Sequence, residues 1–334
     1  RLSYLPIFLY FLFRSLSKTI YVKKLDKLVT ISLVIGMAIT ITEYIVIQLD
    51  IISLKQLLNI LNMPDIIQMH QDQGFFGSRI IGIAGGPHIT GVYNVIFFGL
   101  LLFSFYLPFD QYKNSYLVIL TKYNSLRVRK ILLFLSFISV FISSSKTAWT
   151  ILILILIVYS LSNKKVDIKQ LSKITILIAL IISFLFTYLN YEMMNSYVGY
   201  LAIYFLNLQR DIFEVVNNSP LIGFGYEVGA YSSLIDLSEI RAFNLVITSE
   251  QFIVQIFRML GLVGLLFFIG IFVFLPLKFL LGKKWGYKIK FYSVPLFIVG
   301  ISFGHYNPLE SLPVSLCAWF FLAKISEEYS LFKI

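Results

Sequence analysis

The stretch that decides how this chain is read runs from Gln209 to Gly264: QRDIFEVVNNSPLIGFGYEVGAYSSLIDLSEIRAFNLVITSEQFIVQIFRMLGLVG. Up to Glu250 it is the longest interval that cannot lie inside a bilayer. It then runs into an apolar helix that carries a polar face with it. Arg210, Arg241, Glu250 and Arg258 all fall within it, a dense set of ionisable groups for so apolar a protein. Arg210 is placed about one turn inside a helix. Ser219–Gly225, SPLIGFG, is a turn with two glycines and not ordinary helix. Beyond Glu250, Gln251, Gln255 and Arg258 share one face at helical spacing. Arg258 is about two turns into an apolar helix, where an unpaired cation is costly. A charge at such depth is read as functional by default. The alternative is a buried ion pair, with Glu43 in an earlier span as the partner.

Working outward, the composition says what surrounds this stretch. The chain has 334 residues, 58% of them hydrophobic, and only 13% are charged. A water-soluble domain carries roughly 25% charged residues. So little polar surface implies an integral membrane protein. Apolar runs near the length of a spanning helix recur along it, which suits helices rather than barrel strands. Cys317 is the only cysteine, so no internal disulfide can form. No cleavable signal peptide is visible, and the chain is expected to begin inside an apolar segment.

The expected fold is all-α, a polytopic transmembrane bundle over residues 1–334 as a single membrane domain. Residues 2–13 read as the end of a helix. Spans follow at about 28–49, 90–108, 131–142, 148–161, 174–190, 251–277, 291–304 and 312–323. Between them lie basic loops containing Lys23, Lys122, Lys165 and Lys284, and these fall on every second connection. That is the positive-inside pattern, so the loops face the cytoplasm. The net charge of +11 is therefore topological and not a nucleic-acid surface. The external loops are 50–89 and the larger 191–250. Together they hold ten acids and only four bases, Lys55, Arg79, Arg210 and Arg241. Orientation does not explain an external arginine.

Two further stretches carry candidate chemistry. In residues 78–91, SRIIGIAGGPHITG, Gly82, Gly85 and Gly86 precede Pro87, and Gly91 opens a helix. Glycines let backbone N–H groups approach a ligand, and a helix N-terminus favours an anion. Arg79 could add a forked phosphate contact. Equally, this could be a re-entrant turn with Arg79 paired to a loop acid. His88 is either a base or a polar residue at a helix start. In Ser143-Ser144-Ser145-Lys146, the hydroxyls and cation could bind phosphate. Alternatively the serines satisfy helix-end backbone groups and Lys146 snorkels outward. The turn His305–Pro308 reads as structural. No metal-ligand spacing, phosphate-binding loop or hydrolase elbow is present.

On these residues the chain resembles the O-antigen ligase/polymerase family of bacterial membrane glycosyltransferases, over most of residues 75–275. The stretch SRIIGIAGGPHITG is similar to that family's arginine, glycine, then proline-polar-x-x-glycine segment. SSSKTAW is similar to its Ser-x-Ser-Arg segment, with Lys146 where arginine is usual. Arg210 followed by SPLIGFG is similar to its arginine and Pro-Leu-x-Gly-x-Gly, and Glu250 with Gly261 to its acidic-or-His, x10, Gly signature. The ligase branch usually has His where this chain has Glu250, which favours a polymerase.

The resemblance implies a GT-C-like fold in the cytoplasmic (inner) membrane and a substrate glycan linked to undecaprenyl diphosphate. One repeat unit would pass from its carrier to the sugar end of another. Arg210 and Arg241 would stabilise the leaving diphosphate and Glu250 would take the acceptor proton. Arg79, Lys146, Arg258 and His88 would bind the diphosphate. No cofactor, metal or nucleotide is needed, because the sugar diphosphate is already activated. The implied partners are the lipid bilayer, a flippase and a chain-length regulator, with no nucleic acid. Two other readings stand beside it. One is ligase-type transfer to a lipid or protein acceptor; the other is a transporter or flippase for lipid-linked glycans. Transporters often show inverted repeats, and none is visible here.

Overall fold

The computed structural model describes residues 10–15, 22–51, 56, 80–82, 86–105, 126–162, 209, 212–213, 215–223, 252–282, 284–304, 309 and 311–331. Among these the protein is all-helical. The helices are α1 (Val22–Gln48), α2 (Pro87–Ser104), α3 (Leu126–Ile142), α4 (Lys146–Ser162), α5 (Phe252–Ile269), α6 (Leu275–Leu281), α7 (Tyr287–Ser302) and α8 (Leu312–Leu331). A π-helical segment, Gly270–Phe274, joins α5 to α6. The expected spans from 28, 90, 131, 148, 291 and 312 onward all coincide with helices. The span expected at 174–190 lies outside the described residues.

Among the described residues two helical stretches are long and apolar enough to cross a membrane: Lys27–Gln48, with mean hydropathy 1.9, and Phe252–Leu281, with mean hydropathy 2.7. Only 33% and 17% of their residues are buried in the protein. A core helix of a soluble domain would be mostly covered. Here Leu28, Ile31, Ile35 and Ile39 line one outer face of α1, and Leu260, Val263 and Phe267 one of α5. On α1 the spacing of three and four residues makes a continuous apolar stripe.

The chain forms two compact units. The first comprises residues 1–165, 275–302 and 308–334, and the second 166–274 and 303–307. At the centre of the first is α2, buried along its whole length from Thr90 to Ser104. It packs against α1, α3, α4 and α7, and α7 in turn packs against α4, α6 and α8. A helix apolar all round belongs in such a position. On α2 and its neighbours several buried serines turn the hydroxyl back to their own helix. Ser104, Ser136, Ser139, Ser293 and Ser302 donate to carbonyls three or four residues earlier. Such back-bonding removes the cost of an unsatisfied hydroxyl.

The unit has two chemically different ends. At one end Ser162 Oγ donates to the Leu280 carbonyl at 2.8 Å, and Lys288 meets Glu328 at 3.5 Å. There the Arg129 guanidinium lies over the Phe105 ring, and Phe279, Trp285 and Tyr329 cluster. Arg127, Lys130, Lys278, Lys284 and Lys290 are on helix ends or turns of that same side. At the opposite end, Lys146 is the one cation among the described residues of the unit. Of the loop cations named from sequence, Lys284 lies on that side, and Lys122 and Lys165 lie outside the described residues.

In the second unit, Phe252, Phe268, Phe272 and Phe303 pack edge to face or stacked, with ring centroids 5.1 to 6.4 Å apart. The Ile253 N–H donates to the Phe303 carbonyl at 2.9 Å. The helix expected over 251–277 is broken at Gly261, whose φ of 61° and ψ of −162° are not helical.

Candidate functional site

The glycine-rich stretch before α2 is built from both sides. Gly82 has φ 61°, the left-handed region that suits glycine. A Cβ there would stand 2.4 Å from the Thr90 side chain. The Thr90 hydroxyl donates to the Ile81 carbonyl. From α1, Glu43 reaches the same turn: its Oε1 accepts from the Ile81 N–H at 2.7 Å and its Oε2 from the Gly82 N–H at 2.8 Å. Gly86 is the N-cap of α2 in an extended conformation with no side-chain cap, and Pro87 sits in the first turn. A proline has no N–H to lose there.

The helix therefore opens at Pro87, not at Gly91 as the sequence suggested. Gly91 has another use. A Cβ on it would stand 2.7 Å from the Cβ atoms of Ser145 and Ala148 and 2.9 Å from Ser143 Oγ. The missing side chain lets α2 touch the serine turn. The two motifs, 50 residues apart in the chain, are neighbours at the same end of the unit.

For Ser143 and Ser145 the helix-end reading holds. Ser143 Oγ donates to the Val140 carbonyl at 2.7 Å, ending α3. Ser145 Oγ accepts from the Ala148 N–H at 3.2 Å, an N-cap for α4. Their hydroxyls are already used by the backbone. Ser144 differs: it is 4% exposed, has φ 52°, and its Oγ has no hydrogen-bond partner among the described residues. Lys146 is the first residue of α4 and exposed, and His88 the second of α2 and half-buried.

Asn94, one turn below Gly91, was not singled out from the sequence. It is 1% exposed, and its Nδ2 donates to Thr40 Oγ1 at 3.2 Å and to the Ser139 carbonyl at 3.4 Å. It joins α1, α2 and α3 beneath the glycine and serine turns. Its signal was available in principle, as a carboxamide within an apolar run of 17 residues.

In the second unit the turn SPLIG docks on the break in α5. Gly223, with φ 68°, approaches Gly261 so closely that a Cβ on it would stand 2.6 Å from the Gly261 nitrogen and the Arg258 carbonyl oxygen. A Cβ on Gly261 would stand 2.3 Å from the Leu221 carbonyl group. The break frees the next N–H groups of the helix, and the turn accepts them: Leu262 donates to Pro220 at 2.8 Å and Val263 to Leu221 at 3.2 Å. Ser219 stiffens the turn, its Oγ donating to the Gly223 carbonyl at 2.8 Å. Arg258, one turn before the break, is 2% exposed.

Of the residues named from sequence, His88 and Lys146 are thus at one end of the first unit, and Arg258 is beside the glycine junction of the second. Arg79, Arg210, Arg241 and Glu250 lie outside the described residues. Among the described residues no group of three or more His, Cys, Asp or Glu could hold a metal ion. No family model matches the chain, and neither a curated protein nor a solved structure matches it.

Proposed function

We propose that this chain is a multi-pass glycosyltransferase of the cytoplasmic membrane, GT-C-like in arrangement, that polymerises glycan repeat units carried on undecaprenyl diphosphate. The observation that carries the reading is Arg258, 2% exposed within an apolar helix and set against a glycine–glycine junction. A buried arginine in a membrane span is a costly feature that substrates or ions commonly explain. A junction of two glycines lets backbone and ligand approach where side chains would not.

In this reading the bond between the anomeric carbon and the diphosphate oxygen breaks. The acceptor hydroxyl oxygen forms the new glycosidic bond, and its proton passes to Glu250. Arg210 and Arg241 meet the charge that develops on the departing diphosphate. Detergent-purified protein given a lipid diphosphate carrying one repeat unit, with no nucleotide, is expected to release the free lipid diphosphate. A transporter would return the substrate unchanged.

The arrangement also predicts a topology. Single cysteines at Lys23, Lys122, Lys165 and Lys284, in a Cys317→Ser background, are expected to resist an impermeant thiol reagent in intact cells. Cysteines placed at Lys55 and Gly229 are expected to react. Labelling of the basic loops in intact cells would overturn the arrangement.

A further inference from the structure

Glu43 is the one charged side chain between Lys27 and Gln48, in a segment apolar enough to cross a membrane. It stands near the C-terminal end of α1, where the helix dipole disfavours a negative charge. Neither helix formation nor lipid contact accounts for it. Its surroundings do. Both carboxylate oxygens accept backbone N–H groups, from Ile81 at 2.7 Å and from Gly82 at 2.8 Å.

Two successive amides converging on one anion make a nest. The left-handed φ of Gly82 is the conformation such a nest needs at one of its residues. Thr90 closes the opposite side. Its hydroxyl takes the Ile81 carbonyl, and its side chain fills the space below Gly82. The Ile81–Gly82 peptide is therefore gripped by a carboxylate from α1 and by a hydroxyl from α2. A carboxamide of the same size could not replace the first grip. It offers one acceptor and one donor, and the donor would face an N–H.

We infer that the Glu43 carboxylate is the resident anion of this nest, and that its charge rather than its bulk holds the turn at residues 80–82 in register with the start of α2. Glu43 is then a positioning residue for the glycine-rich turn. Its bearing on glycan transfer rests on the function proposed above; the nest itself does not.

The test uses purified E43A, E43D, E43Q and wild type, with sodium formate set against formamide at balanced ionic strength. Thermal unfolding and release of the lipid diphosphate are both read. E43A leaves the nest open to a one-carbon carboxylate. Formate is expected to raise the unfolding temperature of E43A, and formamide is not. Neither should move the wild type or E43Q. Transfer by E43A is expected to fall about a hundredfold, the scale of a displaced site, and formate should restore part of it. Equal effects of formate and formamide on E43A, or an E43Q that unfolds at the wild-type temperature, would overturn the proposal. If E43A does not accumulate, E43D unfolding above E43Q supports it and the reverse order overturns it. If the wild type releases no carrier while formate still stabilises E43A, the nest stands and the transfer reading falls.

Discussion

Gly261→Ala is expected to undock the SPLIG turn from α5 and to reduce glycan transfer about a hundredfold, the loss that follows when a site is displaced by an ångström or so. Two costs add. The φ of 61° and ψ of −162° at this position fall in a region that alanine strongly disfavours. The new methyl would also stand 2.3 Å from the Leu221 carbonyl group, and that is backbone, which cannot rotate away. Backbone strain and overpacking each cost about 1–3 kcal/mol. The cheapest escape is to close the break. Leu262 and Val263 would then return their N–H groups to Arg258 and Met259 of their own helix, and Pro220 and Leu221 would lose their donors. Gly223→Ala should act alike, because its Cβ meets the Arg258 carbonyl and the Leu260 and Gly261 nitrogens from the other side. Gly270→Ala is the control: nothing lies within 4 Å of a Cβ there. Limited proteolysis of the segment around Ser219 should quicken in the first two variants and stay unchanged in the third. A Gly261→Ala protein with wild-type proteolysis and wild-type transfer would show that the junction positions nothing.

The second large effect is expected at Arg210 and Glu250. Arg210→Lys should leave the protein inserted and lose about a hundred- to a thousandfold in rate, the usual consequence of removing one preorganised stabiliser of developing charge. Lysine keeps the charge but not the planar fork that matches a phosphate. Glu250→Gln should also lose activity, by an amount that shrinks as pH rises. A hydroxyl acceptor that ionises more readily needs less help from a base. If Glu250 only pairs with an arginine, the defect would be the same at every pH. Polymer formation by membranes with matched expression, measured over several pH values, separates the two.

The helices were legible because apolar runs declare themselves. Those starting near 28, 90, 131, 148, 291 and 312 all coincide with helices. The serine turn was legible too, since hydroxyls next to helix ends have an obvious use in capping. The break at Gly261 was not. A glycine inside an apolar run looks the same whether the helix continues or stops. What decides is the pair of carbonyls at Pro220 and Leu221, some forty residues earlier in the chain. Glu43 was hidden for a related reason. From sequence its natural partner is another charge, Arg258. In the structure it binds backbone amides at Ile81 and Gly82, and an amide carries no mark of its partner in the sequence. Asn94 was passed over because a lone carboxamide in an apolar helix gains meaning only when Thr40 and Ser139 are seen beside it.

The account stands or falls on whether this chain alone joins repeat units. The direct measurement is to incubate the detergent-purified protein with a synthetic undecaprenyl-diphosphate-linked repeat unit, without nucleotide, and to resolve the glycans by size. The account predicts a ladder spaced by one repeat unit, with free undecaprenyl diphosphate released as it grows and the ladder absent for Arg210→Lys. Unchanged substrate from folded protein would contradict it, as would a ladder that Arg210→Lys makes equally well.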